Sequence, residues 1–66
     1  MDIHVNGEAR ALPQPATVAA LIASLALDTR KIAVERNAEI VPRSRYDETA
    51  LAPGDRIEIV HFIGGG

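Results

Sequence analysis

Residues 1–25, MDIHVNGEARALPQPATVAALIASL, contain the two elements that decide the fold, a β-hairpin and an amphipathic helix. Apolar and polar residues alternate over residues 1–6, which is the period of a half-buried strand. The pair Asn6-Gly7 favours a type I′ turn, because both central residues of that turn need a positive φ. A second, weaker strand is therefore predicted over residues 8–12, antiparallel to the first.

A helix is predicted after Pro13 and Pro15, which end the second strand. Thr17 is suited to be its N-cap, because a threonine hydroxyl accepts a hydrogen bond from the first turn. Four apolar residues then follow the i, i+3, i+4, i+7 spacing of one helix face: Val18, Leu21, Ile22 and Leu25. Alanine, a strong helix former, fills positions between them. We expect about ten helical residues with one buried face.

Three further strands are predicted in the second half of the chain, at residues 32–36, 39–41 and 56–63. A polar turn over residues 28–31 precedes them. Asn37 suits a left-handed turn residue between the first two, and Pro42 marks the short strand as an edge. Residues 43–52 have no clear period, and Pro53-Gly54 has the arrangement of a type II turn.

A hairpin, a crossover helix and three more strands predict an α+β fold with the helix covering one face of a mixed sheet. In this layout the first and last strands can lie parallel at the sheet centre. Ubiquitin-like β-grasp domains have this architecture, with four or five strands and one helix. We expect one such domain over residues 1–63, followed by a flexible glycine tail over residues 64–66.

The last predicted strand carries apolar residues on both faces. Its two isoleucines at alternate positions face the helix, so Val60 and Phe62 lie on the opposite face by parity. Apolar residues on an outer face, with Ile63 next to them, predict a surface for docking a partner. The alternative is that residues 43–52 fold over this face and cover it.

The sequence closes on Gly64-Gly65-Gly66. Glycine loses much conformational freedom on ordering, so this run is poorly suited to packing. It is well suited to entering a narrow site in a partner, and three extended residues reach roughly 10 Å. A frayed terminus is the simpler alternative, because most domains end in poorly ordered residues. We expect the tail to carry the functional group, the carboxylate of Gly66.

Composition excludes several other classes of function. The formal net charge is −2 with two aromatic residues, so no nucleic-acid surface is expected. Cysteine is absent, and His4 and His61, even if they met across adjacent strands, would be too few ligands, so no metal site is expected. No stretch is long enough to span a membrane or resembles a secretion signal. We expect a cytoplasmic protein, and we expect a chain of this size to have no catalytic cleft.

Four segments resemble the ThiS family, the sulfur carrier proteins of thiazole formation in thiamine biosynthesis. They are VNGE at residues 5–8, TVAALIASL at 17–25, AVERNAEIVPRS at 33–44 and LAPGDRIEIVHFIGGG at 51–66. A terminal Gly-Gly is common to ubiquitin-like carriers, whereas the third segment is more specific to the thiamine branch. The family's usual end has two glycines, and Gly64 adds a third.

The resemblance implies that the Gly66 carboxylate is adenylated and then converted to a thiocarboxylate that donates sulfur. The implied partners are an E1-like adenylating enzyme of the ThiF type, a thiazole synthase of the ThiG type and a sulfur donor enzyme. ATP would be used by the adenylating enzyme, so no cofactor is expected on this chain. The chain would be a co-substrate and not an enzyme.

Two other functions fit the fold and the tail. One is the small-subunit sulfur carrier of molybdopterin synthesis, which the segment at residues 33–44 fits less well. The other is a ubiquitin-like modifier that is conjugated to lysines of other proteins. Lys31 is the only lysine of the chain, so chain-building through its own surface is barely available.

Overall fold

A computed structural model describes residues 1–62, while Ile63 and the Gly64–Gly66 tail lie outside the described residues. The described part contains five strands and one α-helix. In chain order they are β1 (Asp2–Val5), β2 (Glu8–Ala11), α1 (Val18–Ser24), β3 (Ile32–Arg36), β4 (Glu39–Val41) and β5 (Arg56–His61).

The strands form one mixed sheet in the order β2-β1-β5-β3-β4. β1 and β5 are parallel, with Val5 opposite Ile57, and the other neighbours are antiparallel. The crossover through α1 allows the first and last strands to be neighbours, because parallel strands need a long connection. The predicted β-grasp fold is confirmed, and β5 lies at the centre of the sheet.

The predicted turns have positive φ angles at the residues where the sequence indicates them. Asn6 and Gly7 have φ values of 50° and 84°, as expected for the type I′ hairpin turn. Asn37 is left-handed at φ 51°, and Ala38 after it has φ 70°. Gly54 has φ 83°, and the Asp55 N–H donates to the Ala52 carbonyl at 3.1 Å. These turns fix the register of the strands on either side.

The core lies between α1 and one face of the sheet. Val18, Leu21 and Ile22 are fully buried on the helix, as its apolar spacing predicts. The buried apolar side chains that meet them come mainly from the strands: Ile3, Ile32, Val34, Val41, Ile57 and Ile59. Burying a side chain of this type stabilises the fold by about 1.5–3 kcal/mol.

The helix is shorter than the ten residues predicted, because the chain leaves it through a Schellman motif. Ala26 adopts φ 57°, its N–H donates to Ala23 O at 3.0 Å, and the Leu27 N–H donates to Ile22 O at 3.2 Å. Leu25 is the C-cap, half-buried against the core. Alanine at a left-handed position gives no sequence signal for this ending.

Residues 43–52 are more ordered than predicted and pack against the start of α1. They begin with a 3₁₀ turn at Arg43–Arg45, and Tyr46 and Leu51 belong to the core. The Thr49 and Tyr46 carbonyls accept hydrogen bonds at 3.0 Å from the first two N–H groups of the helix. A helix leaves these N–H groups without intrahelical partners, so the segment caps α1.

Two strand ends differ from the prediction, and the predicted polar turn has a defined conformation. β2 ends at Ala11, one residue early, because Leu12 turns into the core while its N–H donates to Met1 O at 2.9 Å. The polar turn contains a 3₁₀ turn at Thr29–Lys31, which the Asp28 side chain caps. β5 ends at His61 instead of residue 63, although the Phe62 N–H still donates one hydrogen bond to the strand-side neighbour Lys31.

No helix in residues 1–62 is long and apolar enough to cross a membrane.

Candidate functional site

The face of the sheet that α1 leaves uncovered carries the large apolar side chains exposed in the described structure. On β5, Ile57 and Ile59 are buried under the helix, whereas Val60 and Phe62 are 61% and 54% exposed. Ile40 on β4 is 66% exposed. Ile40 lies opposite Glu35, and Glu35 lies opposite Glu58, so all three apolar residues share this outer face.

The antiparallel pairing of β3 with β5 determines which residues lie next to Val60 and Phe62. Ala33 lies opposite Val60, and the Phe62 N–H donates to the Lys31 carbonyl at 2.9 Å. This last ladder bond holds Phe62 against β3 beyond the end of β5. Val60 therefore lies on the central strand and Phe62 directly after it, immediately before residues 63–66.

Residues 43–52 do not cover this face, because they pack at the start of α1 on the other side of the sheet. The exposure of Val60 and Phe62 therefore agrees with the outward parity read from the sequence. Their role in docking stays a prediction. Ile63, the third residue predicted to dock a partner, and the tail residues Gly64, Gly65 and Gly66 lie outside the described residues.

Asp55 anchors the start of β5 and is only 6% exposed. Its carboxylate accepts hydrogen bonds from Arg36 Nε at 2.8 Å, Asn37 Nδ2 at 3.0 Å and the Ala52 N–H at 2.8 Å. Burial pushes the pKa of Asp55 up, but these hydrogen bonds outweigh it and hold the pKa below its ordinary value. The ionised carboxylate thus ties the turn before β5 to the β3–β4 hairpin.

Sequence reasoning missed Asp55 and Ile40. Asp55 follows a Pro-Gly turn, where an acidic residue is usually solvated, and its side-chain partners Arg36 and Asn37 are 19 and 18 residues away in sequence. The outward position of Ile40 could have been predicted, because successive side chains of a strand point to opposite faces. Val41 is buried, so Ile40 next to it faces outward.

His4 and His61 do not meet, contrary to the possibility that adjacent strands raise. His4 lies opposite Arg56 at the start of β5, whereas His61 lies opposite Ile32 at its end. They also lie on opposite faces of the sheet. His61 is on the same face as the buried Ile59, the helix side, whereas His4 is on the outer face. Residues 1–62 contain no group of three or more His, Cys, Asp or Glu side chains that could hold a metal ion.

Comparison with known proteins assigns the family. The model of the ThiS family matches residues 3–66. The sulfur carrier protein ThiS of Bacillus subtilis is 50% identical over 50 residues, which are 76% of this chain and 76% of that protein. The chain belongs to the ThiS family.

A solved structure of a ThiS family protein agrees with this fold over its whole length. The crystal structure of the thiamine biosynthesis protein ThiS from Geobacter metallireducens superposes with a TM-score of 0.86 at 30% identity. The match covers 100% of each chain. The β-grasp architecture described above is therefore that of the family.

A thiazole synthase from Paramagnetospirillum magneticum is 53% identical over all 66 residues. A second, from Magnetococcus marinus, is 44% identical over the same length. The chain spans 20% of the length of each of these relatives. A ThiS-like sequence thus occurs within longer proteins that are named for thiazole synthesis.

Proposed function

We propose that this chain is the sulfur carrier of thiazole formation in thiamine biosynthesis, and that the Gly66 carboxylate carries the sulfur. The observation that supports this most is the family match, which runs from residue 3 through the last glycine. The Bacillus subtilis relative, named a sulfur carrier protein, supports the same role. In this proposal the chain is a co-substrate and binds no cofactor of its own.

The proposed chemistry begins with activation of a carboxylate. An α-carboxyl group has a pKa of about 3.3–3.7 and is ionised at neutral pH, so one of its oxygens can attack the α-phosphorus of ATP. Pyrophosphate leaves, and the product is an acyl-adenylate. The adenylate is needed because a free carboxylate is a poor electrophile.

Sulfur enters in the second step. The terminal sulfur of an enzyme persulfide attacks the acyl carbon and expels AMP, which forms an acyl disulfide. A thiol then reduces that disulfide and releases the Gly66 thiocarboxylate, while the thiol and the donor cysteine become a disulfide. The thiocarboxylate sulfur is a strong nucleophile that stays attached to the protein and is not lost as free sulfide.

The proposed partners follow from these steps. An E1-like adenylating enzyme of the ThiF type would bind ATP, and a sulfur donor enzyme would carry the persulfide. A thiazole synthase of the ThiG type would accept the sulfur. The occurrence of a matching sequence within proteins named thiazole synthase supports this last partner. Because activation consumes ATP, we expect the reaction in the cytoplasm.

Docking is assigned in this proposal to the outer face, at Val60 and Phe62, with Ile63 beside them. The two described residues are large, apolar and more than half exposed, at the end of the central strand and directly after it. An enzyme that grips them would hold the base of the tail, so that the glycines extend toward its adenylating site. Aromatic anchors of this kind often supply a large share of the binding energy of an interface.

The decisive experiment incubates the protein with ATP, its adenylating enzyme, a persulfide donor and a thiol, and then measures the intact mass. Replacement of one oxygen by one sulfur, located to Gly66 by fragmentation, is the expected product. A control without ATP should stay unmodified. Conjugation of the chain to a lysine of another protein, with no thiocarboxylate formed, would favour the ubiquitin-like modifier instead.

A further inference from the structure

Two glutamates lie directly opposite each other on the outer face. Glu35 of β3 pairs with Glu58 of β5 in the antiparallel ladder, which puts their Cβ atoms about 5 Å apart. Glu58 is exposed and Glu35 is half-buried. The ion pairs found in residues 1–62 join Arg30 to Asp28 and Arg36 to Asp55, so neither glutamate takes part in one.

Like charges directly opposite in a sheet are unfavourable for folding. This pair also borders exposed apolar residues, while Arg56, one outward position before Glu58, forms no ion pair with either glutamate in the described structure. Ile40 is the cross-strand neighbour of Glu35 on one side, and Val60 follows Glu58 by one outward position on β5. The outer face therefore combines unpaired negative charge with exposed apolar groups, a combination that a cationic side chain with an apolar stem complements.

We propose that Glu35 and Glu58 together receive an arginine of the adenylating enzyme, and so deepen the docking role proposed above, on which this inference rests. Arginine suits the site because its planar guanidinium presents five donors and can bind two carboxylates at once. Its methylene stem can lie on Ile40 and Val60. The bound arginine also removes the repulsion within the pair.

The acidic pair gives the docking surface a direction. Glu58 lies on β5 four residues before Phe62, which directly follows the strand, so the two are about 13 Å apart. An apolar patch alone permits several orientations, whereas a charge contact at one end fixes the register of two surfaces. The pair thus ensures that the tail, at the other end, points toward the adenylating site.

The test removes each charge without changing side-chain shape. Glu35→Gln and Glu58→Gln are each titrated against the adenylating enzyme at low and at high salt. Glu39→Gln is the matched control, because Glu39 is also an exposed glutamate of the sheet. It lies opposite Arg36 and on the helix side, away from the outer face. We expect each variant of the pair to bind at least about fivefold more weakly at low salt, with a flatter salt dependence, and the control to match wild type.

Thermal unfolding provides the second readout. Removing one of two opposed like charges should leave the melting temperature unchanged or raise it, so affinity and stability move in different directions. Equal weakening by Glu39→Gln would show that only total charge matters and would overturn the proposal. Unchanged binding of the pair variants, with a wild type that still gains sulfur, would overturn it while leaving the proposed function intact. Failure of wild type to form a thiocarboxylate would instead reject the proposed function.

Discussion

The side-chain amide of Asn6 pairs with the main chain of Ile59 through both of its ends. Its Oδ1 accepts from the Ile59 N–H at 2.7 Å, and its Nδ2 donates to the Ile59 carbonyl at 3.1 Å. Asn6 is already the first residue of the hairpin turn, at φ 50°. Its side chain therefore extends the parallel pairing of β1 with β5 beyond the end of β1, and links the hairpin to the central strand.

Asn6→Gly should destabilise the domain by about 1–2 kcal/mol, because glycine tolerates the positive φ but provides neither hydrogen bond to Ile59. Chemical denaturation measures the loss. Asn6→Asp is the informative partner variant, since it keeps the acceptor for the Ile59 N–H and removes only the donor. We expect its loss to be smaller than that of Asn6→Gly. A glycine variant as stable as wild type would contradict the bridging role.

Ala26→Gly should stabilise the protein, although glycine within a helix usually does the opposite. Ala26 occupies the C′ position of a Schellman motif at φ 57°, where a Cβ atom costs about 1 kcal/mol and glycine costs nothing. Ala23→Gly in the last turn of the same helix is the matched control and should lose up to about 1 kcal/mol. Thermal unfolding of both variants checks the opposite signs. Destabilisation by both would show that Ala26 is not strained.

The same alanine illustrates what could be predicted from the sequence. The hairpin, the helix stripe and the outward parity of Val60 follow from short-range periods and turn residues, and these were predicted correctly. The end of the helix at Ala26 was not, because tertiary packing of Leu27 imposes a conformation that alanine does not favour. Tyr46 was missed for a related reason: its burial depends on a contact with α1 and not on any local period.

Asp55→Asn should destabilise the domain by about 2–3 kcal/mol at neutral pH, because the amide keeps only one acceptor oxygen. Its NH2 group cannot accept the hydrogen bonds that one carboxylate oxygen receives, either from Arg36 and Ala52 or from Asn37, and the charge that favours the Arg36 contact is lost. The folded pKa of Asp55 lies below its ordinary value of 3.8. Its stabilising contribution is therefore complete above that value and is lost as the pH falls through the folded pKa.

The difference in unfolding free energy between wild type and Asp55→Asn should consequently shrink as the solution is acidified below pH 3.8, the ordinary pKa of the carboxyl. Denaturant titrations at neutral and at acidic pH measure this difference. Asp47→Asn is the control, since Asp47 is exposed and takes no part in this network. A difference that stays constant with pH would show that the charge of Asp55 contributes nothing.

Phe62→Ala should weaken the complex with the adenylating enzyme by at least about 1 kcal/mol and leave the fold intact. Phe62 is 54% exposed and follows the last residue of β5, so its side chain contributes little to the core. His61→Ala is the matched control, because His61 is the adjacent exposed residue on the opposite face of the strand. Calorimetric titration measures affinity, and circular dichroism monitors folding. Unchanged affinity together with a loss of stability would mean that Phe62 is a structural residue.

Gly66 should act through its main-chain carboxylate, so the chemistry depends on where the chain ends and not on a side chain. The proposed adenylation requires this carboxylate in line with the α-phosphate of ATP, and a misplacement of about 1 Å can reduce the rate 10²-fold. Appending one alanine after Gly66, or deleting Gly66, should abolish thiocarboxylate formation. Both variants should unfold at the wild-type temperature, since the change lies beyond the sheet and core of residues 1–62. Intact mass after incubation with ATP, the adenylating enzyme, the persulfide donor and a thiol measures the product. An appended variant that gains sulfur as fast as wild type would show that the position of the carboxylate is not what the adenylating enzyme recognises.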